Sequence, residues 1–173
     1  MKQLLICVET RKQADTDGVY IRETIAKFFD IDNEVSVKTI YMGSKSKYNS
    51  NKVKNEITKK TKEYNGKTII VYCIDTDNYD TDANDKRILE DIKKYCDMNG
   101  YLFVWFCKNV EEVYWHENVA GAEKVEKARE FRKKDKINEV NEANLRSRIL
   151  RRYSSNILEV LKTVVDFKDG IAR

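Results

Sequence analysis

Two apolar runs constrain this chain more than any other feature: Leu4-Leu5-Ile6-Cys7-Val8 and Thr68-Ile69-Ile70-Val71-Tyr72-Cys73-Ile74. Both are rich in branched residues, too short for a typical helix and uninterrupted by charge. A strand buried on both faces of a parallel sheet has this pattern. Tyr101-Leu102-Phe103-Val104-Trp105-Phe106-Cys107 supplies another strand. A fourth, Glu34–Tyr41, alternates Val35, Val37 and Thr39 against Ser36 and Lys38, as expected nearer a sheet edge.

Helical patterns separate the runs. Ile21, Ile25, Phe28 and Phe29 predict a helix from about Asp17 to Phe29, with Asp15 or Thr16 able to cap it. Val53, Ile57 and Tyr64 form a thin stripe on a second helix that Asn65-Gly66 ends. A third starts at Asp82 or Asn84 and runs to about Met98, with Asn99-Gly100 behind it. Strands alternating with helices imply right-handed crossovers. The expected fold is α/β: a four-stranded, mainly parallel sheet flanked by helices over residues 1–118, with a C-terminal helical extension over 119–173 packing on it. Within that extension, residues 117–145 are charged, with Ala122, Val125, Ala128 and Phe131 as scattered anchors, and read as an exposed helix or a partly mobile excursion. Leu145–Phe167 reads as one final helix whose apolar face (Ile149, Tyr153, Ile157, Val160, Leu161, Val164) docks on the sheet.

Composition narrows the class. A hydrophobic fraction of 41% supports a core despite 36% charged residues. No apolar stretch reaches the roughly 20 residues that span a bilayer, and the N-terminus lacks a signal-peptide cleavage pattern. Cys7, Cys73, Cys96 and Cys107 form no C-x-x-C pair, which disfavours zinc and fits buried, reduced thiols in a cytoplasmic protein. The net charge of +4 is unevenly spread. Eight lysines face two glutamates between Ser44 and Lys67, and eleven Lys/Arg face six Asp/Glu between Glu123 and Arg152. Between these segments, Asp75–Asp91 holds seven acidic residues against Lys86 and Arg87. An acidic centre flanked by basic segments suits an enzyme that holds metal ions against a polyanion, although solvated helix faces give the same statistics.

Glu9 closes the first apolar run, and Asp75-Thr76-Asp77 closes the second. If both runs are strands of one sheet, these carboxylates meet where open α/β sheets bind ligands. Clustered carboxylates repel unless a hard cation lies between them, and Mg²⁺ prefers such oxygens. Phosphodiester cleavage places charge on the attacking and leaving oxygens, and metal ions held by carboxylates can neutralise both. Asp75 and Asp77, two residues apart in an extended backbone, are expected to point to one side. Asp80, Asp82 and Asp85 read as turn and capping residues.

A strand-ending glutamate followed by a later strand-ending D-x-D resembles the TOPRIM superfamily, which includes topoisomerase and primase catalytic domains, OLD-family nucleases and RloB-like proteins. Val8-Glu9-Thr10 followed by Thr16-Asp17-Gly18-Val19-Tyr20-Ile21 looks like the opening of RloB-like members. Phe106–Trp115 is similar to their later glutamate-bearing segment, with Glu111 the better match and Glu112 the second. The resemblance covers roughly residues 3–118. It implies Mg²⁺- or Mn²⁺-dependent phosphoryl chemistry, with Glu9 as metal ligand or general base, Asp75 and Asp77 as metal ligands, and Glu111 as a further catalytic glutamate. TOPRIM domains usually have glycine after the first glutamate; here Thr10 leaves less room for a phosphate.

A chain of 173 residues is too short for a topoisomerase, and no cysteine pattern supports a primase zinc module. The expectation is a small metal-dependent nuclease acting on DNA or RNA, for which the resemblance implies a role in antiviral defence. The alternative is a non-catalytic TOPRIM-like binding or regulatory subunit acting with a partner ATPase. A homo-oligomer is compatible with both, and a membrane with neither. Lys86, Arg87, Arg146, Arg148, Arg151 and Arg152 are candidate phosphate contacts, the four arginines at the start of the expected final helix. The lone His116 reads as a surface or packing residue, Trp105 as core, and Tyr114 and Trp115 as packing more than base-stacking groups.

Overall fold

The computed structural model describes residues 1–31 and 34–171. Four strands, β1 (Lys2–Val8), β2 (Val35–Tyr41), β3 (Lys67–Asp75) and β4 (Leu102–Phe106), form one sheet in the order β2-β1-β3-β4. Every pairing is parallel, so the sheet is wholly rather than mainly parallel. The two unbroken apolar runs occupy its centre, while the alternating β2 lies at an edge. Leu4, Leu5, Ile6, Cys7 and Val8 are all essentially inaccessible, as burial on both faces requires.

Helices α1 (Thr16–Phe28), α2 (Asn51–Lys62) and α3 (Ala83–Asn99) make the crossovers. Asp82 caps α3 by accepting from Asn84 N–H and Asp85 N–H, and Gly100 ends it at φ +67°, a left-handed turn that glycine adopts without strain. Only Val53 and Ile57 of α2 are buried, matching its thin stripe. Asp15 stands at the N-cap position of α1 but makes no capping bond; its carboxylate pairs with Arg22 at 2.6 Å. After β4 come α4 (Val110–Trp115), α5 (Lys124–Lys133), α6 (Glu142–Leu145) and α7 (Ile157–Leu161). All four cysteines are free and buried.

The last third departs from expectation. Within residues 117–145, α5 is the largely exposed helix that is one of the two expectations, but aromatic packing docks it. Phe131 is 1% exposed and meets Tyr20, Tyr114 and Trp115, which docks α5 on α1. Of the expected anchors, Ala128 and Phe131 are buried, while Ala122 and Val125 are exposed. Tyr114 and Trp115 are committed to packing: Tyr114 Oη lies 2.5 Å from Thr24 Oγ1, and Trp115 Nε1 donates to Tyr20 Oη at 2.9 Å.

The single helix expected over Leu145–Phe167 is not formed. Helix is confined to Ile157–Leu161, and Ile149, expected on its apolar face, is 70% exposed. The reason is the open edge of β4. Ser155 Oγ donates to Trp105 O, Asn156 Oδ1 accepts from Trp105 N–H, Asn156 Nδ2 donates to Phe103 O, and Cys107 N–H donates to Ser154 O. Satisfying these strand groups outweighs the helical pattern, because serine and asparagine side chains compete readily for backbone partners. Tyr153, at φ +61°, makes the turn into this segment.

Candidate functional site

Since β1 and β3 are adjacent and parallel, their carboxyl ends are neighbours. Glu9 and Asp75 meet there: Glu9 Oε1 accepts from Asp75 N–H at 2.7 Å. Asp75 Oδ1 in turn accepts from Val110 N–H at 3.0 Å, the first amide of α4. Glu111, the next residue, is completely buried and receives Lys124 Nζ from α5 at 2.9 Å on Oε2. Glu112, the second match, accepts from Asn109 Nδ2 at 3.4 Å instead.

Asp75 and Asp77 do not share one side of an extended strand. β3 ends at Asp75, and Asp77 adopts φ +47°, so the period-two reading fails one residue beyond the sheet. Thr76 N–H donates to Phe106 O, Asp77 N–H to Lys108 O, and Lys108 N–H to Thr76 Oγ1, clamping this turn to the chain leaving β4. Asp77 Oδ2 accepts from Lys45 Nζ, which also lies 3.6 Å from Asp85. Asp85, expected as a turn residue, therefore belongs to the rim of the site.

Asp17 joins the cluster and was not singled out from sequence as a site residue. It stands in the first turn of α1, is 5% exposed, and interacts electrostatically with both Glu111 and Asp75. The signal available was its position in Thr16-Asp17-Gly18, where an acidic first-turn residue reads equally well as helix-dipole complementation. Lys45 and Lys124 were also missed, each one lysine in a lysine-rich segment.

The electrostatics show a surplus of negative charge. Burial first, then Asp17 and Asp77, push Glu9 up to about 8, against the lowering effects of the Asp75 amide and Lys45. Burial and then Glu111 push Asp17 up to about 7, despite Lys124. Asp75 is raised well above the carboxylate range by burial, Glu9, Asp17 and Glu111. Burial disfavours the charge of both lysines, yet the bond to Asp77 raises Lys45 and the bond to Glu111 raises Lys124. Two ammonium groups therefore do not neutralise the cluster.

Among the described residues, no three His, Cys, Asp or Glu side chains already converge as a single metal ion would need. The donor chemistry nevertheless fits a hard divalent cation: all the acidic groups offer carboxylate oxygens, and Glu111 Oε1 is buried without a hydrogen-bond partner. Thr10 Oγ1 and Asp15 Oδ1, in the β1–α1 connection, are likewise buried and unpartnered. A cation at Glu9, Asp75 and Asp77 would take over the neutralising role of the lysines.

The other expected contacts lie elsewhere. Arg146 pairs with Glu142 at 2.6 Å and reaches Glu159, which Arg148 also contacts at 3.2 Å. Arg151 donates to Ala143 O and Arg152 lies over the Tyr153 ring, so these arginines sit on an irregular segment rather than on a helix face. Arg87 donates to Asn84 Oδ1. Lys86 and Arg148 line a cavity of about 780 Å³ along the β4 edge. His116 is exposed, stacks on Tyr153 and contacts Asn144, outside the acidic crevice.

No family model, curated protein or solved structure matches the chain. The TOPRIM resemblance therefore rests on the residues quoted for it. Among the described residues no helix is long and apolar enough to cross a membrane.

Proposed function

We propose that this protein is a metal-dependent nuclease that hydrolyses phosphodiester bonds of DNA or RNA, with Mg²⁺ or Mn²⁺ held by Glu9, Asp75 and Asp77. One observation carries the reading. Glu9, Asp17, Asp75 and Glu111 are electrostatically coupled around the carboxyl ends of the two central strands, without three of them closing on one point, and remain under-neutralised after Lys45 and Lys124 are counted. A fold tolerates such repulsion where a ligand relieves it. The bound ion supplies Lewis-acid neutralisation of phosphate charge and a water of lowered pKa.

The chain's own groups divide the remaining work. Glu9, at the end of β1 beside Asp75, would either hold the ion or, where it does not, accept a proton from an attacking water. Its second role, accepting the Asp75 amide, holds the two strand ends in register. Lys124 orients Glu111 against Asp75 and Asp17. Lys45, which donates to Asp77, would be available to a non-bridging phosphate oxygen if Asp77 held a metal ion instead.

A second reading, a non-catalytic nucleic-acid-binding or regulatory subunit acting with a partner ATPase, is favoured by the two lysine–carboxylate contacts and by Thr10. A role in defence follows only from the family analogy. Cleavage of single- and double-stranded DNA and RNA, with Mg²⁺ and Mn²⁺, separates the readings. The nuclease reading expects metal-dependent cleavage that falls at least about a hundredfold in Glu9→Gln, which keeps the Asp75 bond but cannot take up a proton. No cleavage with either metal, or equal cleavage by the variant, defeats it.

A further inference from the structure

In a parallel sheet every loop that follows a strand emerges at the same end. The loops after β2, β1, β3 and β4 therefore succeed one another across the crevice mouth in the strand order. Cations on these loops are of two kinds. Lys45 is held by Asp77 and Asp85. Arg11 and Lys12 after β1, Lys47 after β2 and Lys108 after β4 have no hydrogen-bond or ion-pair partner for their side chains among the described residues. Arg11, Lys12 and Lys47 are exposed, and Lys108 is half-buried. They flank the carboxylates: Lys47, Arg11 and Lys12 on the β2–β1 side, Lys108 on the β4 side. Lys108 stands at φ +62°, an uncommon conformation for lysine, with its backbone clamped to Thr76 and Asp77. The clamp fixes this charge beside the acidic crevice while leaving its ammonium unengaged.

We propose that a single nucleic-acid strand crosses the carboxyl end of the sheet from the β2–α2 loop to the β4–α4 loop. Arg11, Lys12 and Lys47 hold phosphates on one side of the bond over Glu9 and Asp75, and Lys108 holds one on the other. This deepens the nuclease reading and rests on it for the position of the reacting phosphate. The strand is single because the acidic crevice runs inward from the strand ends: Glu9 and Asp75 are half-buried, and behind them Glu111 is fully buried and Asp17 is 5% exposed. A duplex is stiff over about 150 base pairs and keeps its phosphates on the outside of a rod, whereas a single strand can dip one phosphate between loops. The contacts carry charge and no base readout, so affinity is sequence-independent and salt-sensitive.

The test is fluorescence anisotropy in EDTA, where no cleavage occurs, with one labelled sequence as single-stranded DNA, single-stranded RNA and duplex DNA. Lys12→Ala/Lys47→Ala should weaken single-strand binding about tenfold at low salt and reduce the salt slope by about 1.4. Lys108→Asn, which suits a left-handed backbone, should weaken it about threefold. Lys62→Ala/Lys67→Ala removes the same charge at the opposite end of the sheet and should stay within about twofold of wild type. Unchanged melting temperatures confirm that the variants fold. Tighter binding of the duplex than of both single strands, or an equal loss in the Lys62/Lys67 control, overturns the proposal. Because no metal is present, this binding pattern together with absent cleavage under Mg²⁺ and Mn²⁺ would remove the nuclease reading and leave the surface standing.

Discussion

The two sides of the acidic crevice carry similar residues in different surroundings. On the inner side, Asp17 and Glu111 have almost no access to water and, with the part-buried Asp75, face Lys124. On the outer side, Asp77 and Asp85 face Lys45, and the Asp77 side chain is 44% exposed. Asp17 and Asp75 on the inner side, and Glu9 between the sides, are pushed strongly upward. Burial, more than the number of charges, creates the demand for a cation: water screens the outer aspartates, while the inner carboxylates repel through protein.

The comparison can be broken most severely through what holds the inner side together. Phe131→Ala should destabilise the protein by about 3–4 kcal/mol in thermal or denaturant unfolding, because it empties the aromatic cluster that docks α5 and delivers Lys124. A loss below about 1 kcal/mol would mean that α5 does not depend on this contact.

Lys124→Met should cost about 2–3 kcal/mol at pH 8, since it leaves the fully buried Glu111 charge without its partner. Adding Glu111→Gln should recover most of that loss. An additive double variant would remove the pair from any role in stability.

The pH dependence sharpens the same contrast. A carboxyl whose folded pKa exceeds its unfolded value binds more protons folded than unfolded in the interval between, so stability falls there as pH rises. For Glu9 and Asp17 that interval runs from about 4.5 and 3.8 to about 8 and 7. The melting temperature in EDTA should therefore decline between about pH 5 and pH 8. Mg²⁺ or Mn²⁺ should raise it more at pH 8 than at pH 6 by relieving the repulsion. An identical metal response in Asp75→Asn, which retains an oxygen for Val110 N–H, would count heavily against Asp75 as a ligand.

The smallest effect belongs to the outer side. Lys45→Met should change metal-free stability by no more than about 1 kcal/mol, because its partner is well exposed. A loss equal to that of Lys124→Met would erase the distinction between the two sides.

Legibility followed the range of the interaction involved. The strands, the edge position of β2, the Asp82 cap and the Gly100 stop were readable because each depends on residues a few positions apart. Glu9 and Asp75 were readable as neighbours because unbroken apolar runs imply central parallel strands with adjacent ends. The common orientation of Asp75 and Asp77 was misread because the strand stops at Asp75, and the turn beyond it is set by bonds to Phe106 and Lys108. The helix expected over Leu145–Phe167 was misread because its apolar spacing was sound locally, while the unpaired edge of β4 claimed Ser154, Ser155 and Asn156.

By itself, the amino-acid order determined a parallel α/β sheet with a glutamate and an aspartate at the ends of its central strands, because local periodicity and strand burial are written in consecutive residues. Only the tertiary structure decided that Asp17, Glu111, Lys45 and Lys124 join them, and that the proton affinities of Glu9, Asp17 and Asp75 rise. Desolvation and charge coupling depend on what surrounds a group in space, and here those surroundings come from segments as many as 107 residues apart, such as Lys124 set against Asp17 and, through Glu111, against the end of β3.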